Sequence, residues 1–167
     1  NAAGYRSLSR LLSRAWLEGQ DNGVPRVHVS WFDDGAASGL IALSGGSDGV
    51  LGRNLLSGPP ERAERMAAAC MAWFGGDFYV ELQRTGRPQD NAYVEVATRF
   101  ASRMGLPVVA TNDVCFLKPD EFDAHEARVC IQQGRTLADP GRPRLYSEQQ
   151  YLRTPAEMQL LFADLPE

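Results

Sequence analysis

Three short runs built for strands, Gly39-Leu-Ile-Ala-Leu-Ser44, Phe78-Tyr-Val-Glu-Leu82 and Val108-Val-Ala110, constrain this chain more than any other feature. They are too short for helices, and the first and third are continuous rather than alternating, as expected of strands covered on both faces. Segments of helical period separate them. Pro59-Pro60-Glu61 opens one helix, with proline in the first turn where its missing N–H is not needed; Ala63, Met66, Ala67, Cys70 and Phe74 are its inner stripe, and Gly75-Gly76 ends it. After the turn Thr85-Gly-Arg-Pro88, a second helix carries Tyr93, Val96, Ala97, Phe100 and Met104 and runs to Gly105. Strand, helix, strand in succession implies parallel strands with helical crossovers, an α/β fold.

The flanks extend this plan. Leu8, Leu11, Leu12, Ala15 and Trp16 predict an amphipathic helix over 5–18. Asp21 to Pro25 reads as a loop, and the alternation of Val27, Val29 and Trp31 predicts a short strand. Gly45, Gly46 and Gly52 fall in a loop and a turn of helix. Beyond the third run, Pro119 to Gln133 reads as a helix with Phe122, His125, Val129 and Cys130 aligned, and 137–146, with Pro140, Gly141 and Pro143, as irregular. Thr154-Pro-Ala-Glu157 is a capping box that starts a last helix with Met158, Leu161, Phe162 and Leu165 inside.

Composition excludes several classes. A chain of 167 residues with 44% hydrophobic and 23% charged residues suits one globular domain. No apolar stretch approaches the roughly 20 residues of a membrane helix and no basic-then-apolar leader opens the chain, so a soluble, cytoplasmic protein without membrane contact is expected. A net charge of −4 argues against a duplex-gripping surface, and three unpatterned cysteines (Cys70, Cys115, Cys130) fit reduced thiols.

In parallel α/β folds functional groups gather at the carboxyl ends of the strands, here Ser44–Gly46, Gln83–Thr85 and Thr111–Cys115. The last is chemically the richest. Asp113 is placed for a metal or proton-transfer role, with Thr111 and Asn112 to orient it; the alternative is a turn or capping aspartate. Cys115 has no second Cys or His at a ligand spacing, so a structural thiol competes with a ligand or nucleophile. His125, beside Asp123 and Glu126 on its helix, is an acid/base candidate outweighed by the reading as a partly exposed or packed histidine, and His28, alone on its strand, has less to support it. Glu81 and Asp113 together could divide acid and base work. Phosphate-binding glycine loops and nucleophile elbows are absent, and Arg84, Arg87, Arg142 and Arg144 are scattered.

Gly105-Leu-Pro-Val-Val-Ala-Thr-Asn-Asp113-Val, then Phe122-Asp-Ala-His-Glu126 and Tyr146-Ser-Glu-Gln-Gln-Tyr151, resemble the alpha subunits of bacterial DNA polymerase III. The likeness extends back through Glu81-Leu-Gln-Arg-Thr-Gly-Arg-Pro88, Leu40-Ile-Ala-Leu-Ser-Gly45 and Gly4-Tyr-Arg-Ser-Leu8 and forward to Leu161-Phe-Ala-Asp-Leu-Pro166, over essentially the whole chain. It implies part of a PHP (polymerase and histidinol phosphatase) domain, an irregular β/α barrel. Residues 1–134 would be its later half, and 135–167 a connecting segment and helix leading toward the polymerase palm.

Intact members of that family hold metal ions with His, Asp, Glu and Cys ligands at the strand ends. The resemblance places a family cysteine at Gly46 and a final Asp-x-His at Asp113-Val-Cys115, so Asp113 alone is kept unambiguously. Gly46, Asp113 and Cys115 are then remnant positions, no metal is expected, and no catalytic residue lies in the chain; the Mg²⁺ of the polymerase reaction would be held elsewhere. The implied role is a scaffold docking the proofreading exonuclease subunit within a replicase that meets DNA through other regions. A metal-dependent phosphoesterase or exonuclease is the competing reading, and a free-standing adaptor a third, disfavoured because the limits at Asn1 and Glu167 look abrupt. Open sheet edges also predict self-association.

Overall fold

The computed structural model describes residues 1–165; Pro166, the end of one quoted motif, and Glu167 lie outside them. Strand β3 (Ala42–Leu43), β4 (Phe78–Gln83) and β5 (Val108–Thr111) form a three-stranded sheet in the order β3-β4-β5. Both pairings are parallel, with Ala42 opposite Phe78 and Val80 opposite Val108. The crossovers are α2 (Val50–Ser57) and the predicted α3 (Pro60–Phe74) between β3 and β4, and the predicted α4 (Asp90–Met104) between β4 and β5; α2 is a full eight-residue helix where only a loop and a turn of helix are expected.

The core is where these helices meet the sheet. Val80, Leu82 and Phe78 from β4 pack with Leu51, Ala63, Ala67, Tyr93, Val94, Ala97 and Phe100, all buried. Alanines at the contacts, Ala63 and Ala67 in α3 and Ala97 in α4, let these helices approach β4 and α2 closely, and each large apolar side chain so buried contributes about 1.5–3 kcal/mol. The central strand β4 is paired on both edges, by β3 and β5, and its Phe78, Val80 and Leu82 face is buried against the helices.

The outer strands correct the expectation of coverage on both faces. Ile41 is 70% and Leu43 47% exposed, and Ala110 of β5 is exposed as well. Both strands are edges among the described residues, so one side of each keeps apolar surface in solvent.

Helix α1 (Ala2–Leu17) forms with Asn1 as N-cap, its side-chain oxygen accepting from the N–H groups of Ala3 and Gly4. Only part of the predicted stripe turns inward: Leu11 and Ala15 pack on Trp31, whereas Leu8, Leu12 and Trp16 are exposed. The predicted strand at 27–31 is wrong. Val29–Phe32 is a 3₁₀ turn in which the Trp31 N–H bonds to the His28 carbonyl at 3.0 Å, and among the described residues no strand offers a ladder there. Pairing occurs earlier, in the presumed loop, where β1 (Gln20–Asp21) and β2 (Val24–Pro25) form a hairpin. Asn22 and Gly23 both have positive φ, 51° and 79°, the two-residue turn that Asn-Gly favours.

After β5, a 3₁₀ turn at Pro119–Glu121 leads into α5 (Phe122–Gln133), and the irregular 134–153 segment leads to α6 (Pro155–Leu161). The capping box is as predicted: Thr154 Oγ1 accepts from Glu157 N–H at 3.3 Å, and the Glu157 carboxylate accepts from Thr154 N–H at 2.7 Å. Phe162 and Leu165 pack against the main core, and Arg84 ties this end down by a two-armed ion pair to Asp164 at 2.5 and 2.7 Å.

Candidate functional site at the strand ends

All three strand ends carry polar groups, not only the last. Glu81, 8% exposed, sits inside the sheet end with its carboxylate shared among donors: Gly45 N–H at 3.1 Å, Thr111 hydroxyl at 2.5 Å and Gln83 Nε2 at 3.2 Å. Its backbone N–H donates to Ser44 Oγ at 2.9 Å and its carbonyl accepts from the Tyr93 hydroxyl at 2.8 Å. Burial, foremost, pushes the Tyr93 phenol above its usual range and keeps it a donor. Every oxygen of Glu81 is therefore spoken for, the condition under which a buried carboxylate is tolerated.

Asp113 belongs to a second cluster. Its backbone is left-handed at φ 44°, a conformation aspartate tolerates better than most residues. Its carboxylate accepts from the Arg87 guanidinium and from Gln150 Nε2 at 2.9 Å, while the other arm of Arg87 reaches Asp48 at 2.8 Å. Arg87 is mostly buried, at 14% side-chain exposure, so its charge is matched by two carboxylates. A cavity of about 480 Å³ opens beside it, lined by Asp48, Arg87, Asp113, Arg144 and Tyr146.

Position 46 is shaped by its neighbour. Gly46 has φ 57°, and a Cβ there would lie 2.4 Å from Gln83 Oε1, so the Gln83 amide fills the space a side chain at 46 would need. Cys115, half-buried, donates to the Asp113 carbonyl at 3.4 Å; burial first, then the Asp113 charge, hold its thiol above the ordinary value, with Arg87 opposing. A protonated thiol is a poor nucleophile. Among the described residues, no group of three or more His, Cys, Asp or Glu side chains could hold a metal ion.

The remaining candidates scatter. No hydrogen bond joins Glu81 to Asp113 among the described residues; each has its own donors. Thr111 orients Glu81 rather than Asp113, and Asn112 turns to the 149–151 backbone. His125 stacks between Phe116, at 5.5 Å, and the edge of Tyr146, at 4.6 Å, and His28 leans on Trp31 at 5.0 Å, so both act as aromatic surfaces. Arg142 forms a buried ion pair with Glu126, at 8% and 4% side-chain exposure. Arg87 and Gln150 are the site residues that sequence reasoning missed, because polar residues outside helices and strands carry no periodic signal; Gln83 is legible only as part of the β4 end.

Residues 1–85 match the family model described as PHP domain. The chain belongs to the PHP domain family. Over all 167 residues the PHP chain is also 53% identical to the DNA polymerase III subunit alpha of Pseudomonas aeruginosa and 46% identical to those of Vibrio cholerae and Escherichia coli K12. It spans 14% of the length of each of these relatives. Its sheet is the parallel α/β arrangement of part of a PHP barrel, and β4 and β5 pair across the end of the family match at residue 85. Among the described residues no helix is long and apolar enough to cross a membrane.

Proposed function

We propose that this chain is the later part of the PHP domain of a replicative DNA polymerase alpha subunit, cytoplasmic, with residues 135–167 leading toward the polymerase palm. The domain acts as a metal-free scaffold that docks the proofreading exonuclease subunit, while template-directed synthesis and its Mg²⁺ chemistry belong to other regions. The observation that carries this reading is the occupancy of the strand ends. Where PHP metal ligands would converge, Gly46 offers no side chain, Gln83 fills its place, and the one retained carboxylate, Asp113, is neutralised by Arg87. A fixed guanidinium supplies the positive charge a metal would bring but no open coordination position, and hydrolysis by a bound metal needs one.

The presence of Asp113 and Cys115 two residues apart favours the competing metal-dependent phosphoesterase. Against it stands the arginine on Asp113. The test has two arms. Sequencing the coding DNA on both sides should show an upstream PHP half and a long downstream polymerase region; a reading frame ending near Glu167 would refute the parent assignment. The full-length protein should give no turnover of a chromogenic phosphate ester with Mn²⁺ or Zn²⁺, and turnover abolished by Asp113→Asn would establish the phosphoesterase instead.

A further inference from the structure

The strand-end cluster is bonded to the segment that follows it in a way scaffolding alone does not require. Gln150 is fully buried, and its side-chain amide is used at both ends. The carbonyl accepts from Ser147 N–H at 2.9 Å, and the NH₂ donates to the Asp113 carbonyl at 3.2 Å and to Asp113 Oδ2 at 2.9 Å. That Oδ2 is the same oxygen that Arg87 grips.

Three successive carbonyls of the segment are captured by the end of β5. Asn112 Nδ2 donates to both Gln149 and Tyr151 oxygens at 2.7 Å, and Cys115 N–H donates to the Gln150 oxygen at 2.8 Å. Leu152 N–H returns a bond to Phe116 at 3.0 Å, so 150–152 runs as a parallel extension beside Cys115 and Phe116. Ser147 Oγ in turn donates to the Thr85 carbonyl, in the turn that carries Arg87. The turn 85–90, the β5 end and the segment 147–153 therefore close a ring through Arg87, Asp113, Gln150 and Ser147.

We infer that 147–153 is a strap held shut by Asp113, and that Arg87 sets its closure although it makes no hydrogen bond to the strap. The remnant metal position is thus a conformational latch, fixing the placement of α6 and the chain beyond it. This goes beyond the scaffold reading and depends on neither the parent activity nor the docked partner. Any change at Arg87 or Asp48 that alters the Asp113 carboxylate would be felt at α6.

Tryptic cleavage of the full-length protein at Arg153–Thr154, inside the strap, measures its opening, with Arg65–Met66 in α3 as an internal reference. When closing is fast relative to cleavage, the rate follows the open population. Gln150→Ala and Arg87→Met should each raise the Arg153:Arg65 cleavage ratio about tenfold, and the double variant should fall well short of the product, as residues in one network do. A ratio unchanged in Arg87→Met, or a double variant that multiplies, would overturn the inference. Should Gln150→Ala or Arg87→Met accelerate cleavage at both sites, Arg87→Lys decides: it keeps the charge but cannot bridge two carboxylates, and its ratio must exceed wild type or the inference fails.

Discussion

Replacing Asp90 by alanine removes one acceptor and leaves three donors without it. Asp90 is 5% exposed, and one of its oxygens accepts from Thr85 N–H at 2.5 Å, Thr85 hydroxyl at 3.1 Å and Arg87 N–H at 3.2 Å. Thr85 has no solvent exposure, so its amide stays orphaned; a buried donor left unmade costs about 1–3 kcal/mol. The Thr85 hydroxyl can rotate and Arg87 N–H, nearer the surface, can recruit water, which limits their losses. An acidic residue in the first turn of α4 adds roughly 0.3–1 kcal/mol by the helix dipole. The sum is about 1.3–4 kcal/mol for opening the turn that aims Arg87 at Asp113. Amide hydrogen exchange on the full-length protein reads this directly: peptides spanning Gln83–Val94 should exchange roughly 10–700-fold faster in Asp90→Ala, at tenfold per ~1.4 kcal/mol. Asp90→Asn, which keeps the size and one acceptor, should lose much less. An Asp90→Ala rate within threefold of wild type would show that the turn is held by something other than this carboxylate.

Three further outcomes are expected. The Glu157 carboxyl is held below its ordinary value chiefly by the Thr154 N–H, and that of Asp164 chiefly by Arg84. Depressed carboxylates stabilise the folded form above their unfolded values and lose that contribution as pH falls through the folded ones, so α6 should loosen on the acid side of about pH 4; exchange of α6 amides that ignores acidification, or that is equally acid-sensitive in Glu157→Gln, would contradict this. Tyr93→Phe removes one buried hydrogen bond to the Glu81 carbonyl without opening a cavity and should cost about 0.5–1.5 kcal/mol, visible as a roughly two- to tenfold rise in β4 exchange. The isolated 167-residue chain, with Ile41, Leu43, Leu12 and Trp16 in solvent, should self-associate; a monomeric light-scattering mass at high concentration would refute that.

What the sequence made legible was what local rules decide. β4, α3 and α4 follow from propensity, period and punctuation within one segment, and the α6 capping box from four consecutive residues. Whether a strand is central or an edge is not local: Leu40-Ile-Ala-Leu43 reads the same with or without a cover, and its exposed Ile41 depends on which chains stand beside it. The hairpin at Asn22-Gly23 is signalled by the dipeptide, but strands of two residues are too short to show alternation. The site was legible only in part. Asp113 and Glu81 stand out at strand ends, but Arg87 reaches Asp113 across 26 positions and Gln150 across 37, and nothing in either segment announces the pairing. The rule that functional groups cluster at strand ends located the region; only the packing shows which groups are already engaged.

The claim that Arg87 and Gln83 stand where a metal would otherwise be held is tested most directly by metal uptake of the full-length protein and of its Asp113→Asn variant. Both would be dialysed against Zn²⁺ or Mn²⁺, freed of excess and assayed for bound metal, the difference isolating this site from metals bound elsewhere. Equal metal content is the predicted result. One additional equivalent in the wild type, absent from Asp113→Asn, would contradict it and return the strand ends to metal chemistry.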